Sequence, residues 1–178
     1  MAKHTLAVLV DNSSGVLARV ASLFARRAFN IDSLAVGPTE YPAISRMTIV
    51  VNVEGHALEQ VTRQLDKLIN VIHVSEIKPA KSTQEELILV KVKNNPRIDS
   101  VASKFGAKIV DNTDDAVIIE STNTVALNEE LLASLKQFGI IEFVQSGVVA
   151  LSHGATALAD QTLDIQSVST DRQADYQN

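Results

Sequence analysis

The hydrophobic pattern in the first half of the chain constrains its fold more than any other feature. Two segments have apolar side chains at helical spacing: residues 15–28 and a stretch that begins at Gly55. Strand-like segments, either apolar throughout or alternating, flank and separate them at residues 4–11, 30–37, 44–53 and 71–77. The resulting order β-α-β-β-α-β is that of the ferredoxin-like split βαβ unit.

The second half repeats this order after a short polar linker, residues 79–85, which contains Pro, Lys and Ser. Its helices are predicted at residues 97–105 and 128–138. We therefore predict an α+β protein of two ferredoxin-like βαββαβ domains, residues 4–78 and 86–154. Residues 155–178 are rich in Gln, Asp, Ser and Thr, and are predicted to form a polar, acidic, disordered tail.

Composition removes most kinds of catalytic centre. The chain has no Cys, which excludes disulfides, thiolate zinc sites and Cys nucleophiles. Its seven glycines are scattered singly, so there is no glycine-rich phosphate loop. The histidines are far apart and match no metal-binding spacing: His4, His56, His73 and His153. The sequence therefore predicts neither catalytic residues nor a metal site on this chain.

Charge and hydropathy exclude two further classes of partner. The net charge of −5 argues against a nucleic-acid binder, which needs a basic surface. No stretch approaches 18 consecutive apolar residues, so no transmembrane helix is predicted. The chain runs from Met1 into a strand pattern without the apolar run of a signal peptide. We therefore expect a cytoplasmic protein without nucleic-acid or membrane partners.

One segment, residues 11–17, concentrates polar residues and a glycine between the first strand and the first helix. Asn12, Ser13 or Ser14 could cap the helix, which is the simpler interpretation. Gly15 lowers helix propensity by about 1 kcal/mol relative to Ala, and it lets a ligand approach the backbone. The first-turn N–H groups favour an anion such as a carboxylate. From the residues alone, capping and anion binding both stay open.

The run from residue 11 to residue 34, followed by Ser-Arg-Met-Thr-Ile at 45–49, resembles the regulatory small subunit of acetolactate (acetohydroxyacid) synthase. Residues 65–71, 138–140 and 145–152 extend the likeness, which spans about residues 4–154. In that family the first domain is an ACT domain, an amino-acid-binding module. The resemblance implies a non-catalytic regulatory subunit that activates a catalytic large subunit and confers feedback inhibition by valine or a related branched-chain amino acid. The large subunit would carry thiamine diphosphate, Mg and FAD.

The resemblance also implies a site. The effector carboxylate would meet backbone N–H groups after Ser14, and Asn12 would hold the ligand's polar end. The second strand would be a sheet edge where two ACT domains pair as a homodimer, and its first residues would come from the other protomer. The predicted effector-binding residues are Asn12, Ser14, Gly15, Val16, Leu17, Asn30 and Ile31. Ala28 stands where the family often has Gly, and a left-handed helix end there would strain alanine.

Two other functions remain as alternatives at this stage. A freestanding ACT-domain transcriptional regulator would sense an amino acid and bind DNA, but the sequence contains no basic helix-turn-helix pattern. An enzyme on this chain alone would need catalytic residues that the composition does not provide.

Overall fold

The computed structural model describes residues 2–159, which form two compact units. The first unit comprises residues 2–83 together with 150–159, and the second comprises residues 84–149. Most of the predicted tail, residues 160–178, lies outside the described residues.

The first unit has the predicted β-α-β-β-α-β order. Its elements are β1 (Ala2–Asp11), α1 (Val16–Arg26), β2 (Ile31–Pro38), β3 (Ile44–Val53), α2 (Gly55–Leu65) and β4 (Val71–Ile77). The four strands form an antiparallel sheet in the order β2-β3-β1-β4, so β2 and β4 are its edges. The prediction that the second strand is an edge is therefore confirmed.

Burial on both sides of the sheet explains why β1 is a continuous apolar run rather than an alternating one. Leu6, Val8 and Val10 share a core with Val16, Val20 and Phe24 of α1, which recur at helical spacing. The alternate residues Ala7 and Leu9 are also buried, and they belong to small clusters on the opposite face. A strand covered on both faces is expected to be apolar throughout.

The second unit repeats the order. Its helices and strands are β5 (Ser82–Lys93), α3 (Ile98–Lys104), β6 (Lys108–Asn112), β7 (Ala116–Asn123), α4 (Val125–Leu135) and β8 (Ile140–Gln145). The next strand, β9 (Val149–Ser152), belongs to the first unit from residue 150 onward. The sheet order is β6-β7-β5-β8, and β9 also pairs with β5. The core lies between this sheet and the two helices; its fully buried members include Ile88, Val90, Ile119, Leu131 and Leu135.

A polar network lies within this second core. Asn128 of α4 is 0% exposed, and its side-chain N–H₂ donates to the Glu86 carbonyl oxygen at 3.1 Å. Its amide oxygen accepts from the Ser121 hydroxyl at 2.8 Å. The Glu86 carboxylate also accepts from Gln145 of β8 at 3.3 Å. Asn128 thereby joins α4 to β5 and β7.

The observed units differ from the predicted domain boundaries in two places. A 3₁₀ turn at Pro79–Lys81 leads directly into β5, which begins at Ser82 inside the predicted linker 79–85. Residues 150–159 group with the first unit rather than with residues 86–149, because Ala150 packs against Ala7 and Ile77. The physical reason is the apolar second face of β1, which needs a cover.

Candidate functional site

The loop between β1 and α1 ends in a glycine with a left-handed backbone conformation. Gly15 is the N-cap of α1 with φ 83° and ψ −8°, a conformation that residues with a Cβ rarely adopt. As a glycine, the cap residue makes no side-chain hydrogen bond to α1. The simpler interpretation, that Asn12, Ser13 or Ser14 caps the helix, is therefore wrong, because the left-handed turn puts Gly15 at the cap position. The cap residue therefore offers no side-chain acceptor to the first-turn N–H groups.

The space in front of Gly15 is open. No heavy atom beyond its chain neighbours lies within 4 Å of the position that a Cβ would occupy there. The positive φ, rather than crowding, is therefore what requires glycine. Ser14 beside it is exposed. A small anion can reach the backbone at this point.

Asn12 is fixed by the loop between β2 and β3. Its backbone N–H donates to the Ala43 carbonyl oxygen at 2.8 Å, and its side-chain N–H₂ donates to the Pro42 carbonyl oxygen at 2.9 Å. The side-chain nitrogen of Asn12 is thus occupied as a donor. Its amide oxygen is then the group suited to accept a hydrogen bond from a ligand ammonium.

A second anchor lies on the other side of the loop. The Asn70 side chain donates to the Asp11 carboxylate at 2.9 Å and accepts from the Arg19 guanidinium. The Asp11 backbone N–H also donates to the Asn70 carbonyl oxygen at 2.9 Å. The last residue of β1, the first turns of α1 and the start of β4 are thus tied together, which fixes both ends of the glycine turn.

The next two predicted residues have different environments. The Val16 side chain is 4% exposed and belongs to the core, so only its backbone N–H can meet a ligand. Leu17 is 43% exposed beside the loop. Its side chain provides apolar surface next to the helix N-terminus.

Asn30 and Ile31 do not lie beside this loop in the same chain. Ile31 pairs with Val51, which pairs with His4, whereas Asp11 pairs with Ile44 at the other end of β3. Seven residues of β3 separate these positions, about 23 Å at 3.3 Å per residue. The exposed Asn30 donates to Asp32 at 2.9 Å. The structure therefore groups the predicted residues into two sets at opposite ends of the sheet.

The sequence interpretation missed the residues that fix the loop: Arg19, Pro42, Ala43 and Asn70. They act through contacts that span 30 to 59 positions of the sequence. The only local signal was the likeness at residues 65–71, which includes Asn70 but does not indicate its partner.

The described residues contain neither a metal-binding cluster nor a membrane-spanning helix. Among residues 2–159, no group of three or more His, Asp or Glu side chains is placed to hold a metal ion. Within the same part of the chain, no helix is both long enough and apolar enough to span a bilayer.

Comparison with known proteins identifies the family. Residues 6–73 match the family described as AHAS small subunit-like ACT domain, and residues 85–154 match the family described as small subunit of acetolactate synthase. The acetolactate synthase small subunit of Mycolicibacterium smegmatis is 51% identical over 155 residues, which is 85% of this chain and 91% of that protein. The chain belongs to the acetolactate synthase small-subunit family.

Two further relatives support this membership. The probable acetolactate synthase small subunit of Archaeoglobus fulgidus is 47% identical over 85% of this chain and 98% of its own length. The crystal structure of the small subunit from Thermotoga maritima superposes with a TM-score of 0.81 at 34% identity, covering 88% of this chain and all of that one. The predicted resemblance and the fold of two βαββαβ domains are confirmed. The chain is thus a regulatory small subunit rather than the catalytic one, and its family implies a catalytic large-subunit partner.

Proposed function

We propose that the chain binds valine or a related branched-chain amino acid and controls acetolactate synthase through the catalytic large subunit, raising its activity and conferring feedback inhibition. The observation that carries the proposal is the left-handed Gly15 cap, which supplies no side-chain acceptor of its own to the first turn of α1. Thiamine diphosphate, Mg and FAD would be held by the catalytic partner, in the cytoplasm. A freestanding transcriptional regulator is set aside because both halves of the chain match small-subunit families.

The loop offers what an amino-acid carboxylate needs. Backbone N–H groups of Gly15, Val16 and Leu17 converge at the positive end of α1, where a carboxylate is stabilised. Hydrogen bonds to a charged group contribute about 1.5–3 kcal/mol each, and burying a valine side chain contributes about 1.5–3 kcal/mol. Association costs at least several kcal/mol. The resulting free energy corresponds to a dissociation constant between micromolar and millimolar. In this range the occupancy of the site would follow the concentration of the amino acid.

A second copy of the chain would complete the site. Two copies that pair through their β2 edges in a two-fold arrangement would run antiparallel, so the Ile31 end of one would lie near the Pro38 end of the other. The Pro38 end is also the end at which the Gly15 loop lies, because Pro38 pairs with Ser45 next to Ile44. This arrangement supports the proposal that Asn30 and Ile31 reach the effector from the other protomer.

Substitution of Gly15 tests the carboxylate contact. Asp and Asn have nearly the same shape and both tolerate a positive φ better than other side chains. We expect Gly15→Asp to abolish valine binding, because its carboxylate would repel that of the ligand, and Gly15→Asn to weaken it only partly. Calorimetry on the full chain measures both, and inhibition of the reconstituted enzyme by valine provides a second measurement. Equal affinities for the Asp and Asn variants would show that no ligand carboxylate meets Gly15.

Substitution of Asn30 tests the contribution of the second copy. Asn30→Ala removes an exposed amide without disturbing the core, so we expect weaker valine binding with an unchanged unfolding midpoint. Gln60→Ala, which removes an exposed amide from α2, is the control and should bind valine normally. A wild-type inhibition curve for Asn30→Ala would remove Asn30 from the site.

A further inference from the structure

A cavity of about 470 Å³ lies within the first unit, and its wall contains none of the predicted effector residues. It is bounded by β3, by the loop between β2 and β3, and by residues 154–159. Its buried apolar wall includes Leu9, Ile44 and Ile77, which cluster with Leu158 apart from the core that faces α1 and α2. The volume is within the range of small-molecule sites, about 300–1,000 Å³.

The loop that forms one side of the cavity is fixed by its own hydrogen bonds. The Thr39 backbone N–H donates a hydrogen bond to the Ile44 carbonyl oxygen at 3.0 Å. The Ile44 backbone N–H donates to the Tyr41 carbonyl oxygen at 2.9 Å. The Thr39 hydroxyl also accepts from the Tyr41 N–H at 3.1 Å. A wall made in this way exists before any ligand binds, which lowers the cost of ordering a site.

The cavity also contains a cation. Arg46 of β3 is half-buried, and its Nη2 donates to the Ala150 carbonyl oxygen at 2.6 Å. Burial lowers the pKa of Arg46, and the nearby Glu40 carboxylate opposes that effect. A guanidinium has five N–H donors in a planar fork that matches a carboxylate. A guanidinium in an apolar wall has lost part of its hydration. It is therefore stabilised by a bound anion whose oxygens accept the hydrogen bonds that water no longer accepts.

The geometry points to a second ligand site, distinct from the Gly15 loop, which takes a small aliphatic carboxylate. The ligand carboxylate would pair with Arg46, and its hydrocarbon part would lie against Leu9, Ile44 and Leu158. Residues 155–159 of the wall lie beyond the range 85–154 that the family comparison matches. The family assignment therefore does not by itself account for this cavity.

A fluorescence titration reports on this cavity directly. The chain has two tyrosines and no tryptophan, and Tyr41 lines the cavity. In the full-length Tyr176→Phe variant, Tyr41 is the only tyrosine and dominates the intrinsic fluorescence. We expect its emission to change saturably with 4-methylpentanoate and not with the neutral amide 4-methylpentanamide, which has the same hydrocarbon body. Saturation by both compounds with equal midpoints, or by neither, would overturn the proposal.

Two substitutions should shift the midpoint in opposite directions. Arg46→Met removes the cation and should weaken 4-methylpentanoate binding by about tenfold or more. Glu40→Gln removes a repelling carboxylate at an exposed position and should strengthen it by about two- to fivefold. Arg63→Met, an exposed arginine on α2, is the matched control and should change nothing. Because Glu40→Gln perturbs no packed residue, an unchanged or weaker midpoint there overturns the proposal even if Arg46→Met fails to fold.

A further titration tests whether the cavity binds amino acids or only acids without an ammonium group. It compares L-leucine with 4-methylpentanoate in the Gly15→Asp variant, in which the proposed effector binding at the loop is removed. Binding of both L-leucine and 4-methylpentanoate assigns the site to aliphatic acids generally, amino acids included. Binding of 4-methylpentanoate alone assigns it to acids without an ammonium group. Loss of both in this background would place their binding at the Gly15 loop and overturn a separate site, whereas the proposed effector function would stand.

Discussion

At the scale of single residues, α1 has a left-handed residue at each boundary. Gly15 before it has φ 83°, and Ala28 just after it has φ 54°. A left-handed backbone conformation destabilises a residue that has a Cβ by about 1–2 kcal/mol. The Ala28 N–H donates to the Ala25 carbonyl oxygen and the Phe29 N–H to the Phe24 carbonyl oxygen, both at 3.1 Å, which holds the chain in that turn. Ala28 is therefore in a strained conformation.

Relief of this strain is the first prediction at this scale. Ala28→Gly should stabilise the chain by about 0.5–1 kcal/mol, because the left-handed penalty exceeds the extra entropy of Gly in the unfolded state. Ala25→Gly is the control, since Ala25 is exposed within α1 and loses only helix propensity, which should cost about 1 kcal/mol. Urea unfolding followed by circular dichroism measures both. Destabilisation of similar size in the two variants would contradict the strain.

At the scale of elements, the helices and strands were predictable because their periodicity is local. The start of α4 was not predictable in this way. The predicted helix covers residues 128–138, whereas α4 begins at Val125 with Thr124 as its cap. Asn128 lies inside α4 rather than at its start, and its amide is buried against Ser121 and Glu86. Such a partner, 42 positions away, cannot be inferred from neighbouring residues.

The buried amide should matter to the second unit. Asn128→Ala would leave the Ser121 hydroxyl and the Glu86 carbonyl without their partner, which should cost about 2–4 kcal/mol. Hydrogen exchange of the β5 and β7 amides locates the loss in this unit. The neighbouring Glu129 is exposed on the same helix, so Glu129→Ala should change protection by less than about 0.5 kcal/mol. Equal protection in both variants would mean that the network contributes little.

At the scale of the whole molecule, the two-domain order could be predicted and the arrangement of the site only in part. The loop at residues 11–17 was found from its composition, and the two ends of the sheet follow from strand register. That Asn30 and Ile31 lie at the far end from Gly15 depends on the pairing of β1, β2 and β3, which local patterns do not specify. The proposed site would therefore need residues from a pair of chains.

The proposed pairing of two chains can be tested at the edge strand β2. Val36 of β2 is 47% exposed, and a charge there should prevent the edges from pairing. We expect Val36→Lys to shift the sedimentation coefficient towards the monomer and to weaken valine binding together, because the proposed site needs both copies. Ile69→Lys, at a position 83% exposed elsewhere in the same unit, is the matched control. Valine binding that survives in a monomeric Val36→Lys protein would contradict a shared site.

The first unit is built from segments that a ribosome makes far apart in time. Its sheet is complete at Ile77, yet Ala150 and Leu158, which cover Ala7 and Leu9, come only after the whole second unit. At about 5–20 residues per second, several seconds separate these events. A nascent chain arrested before residue 150 would thus present an apolar sheet face to chaperones, and the released full-length chain would conceal it.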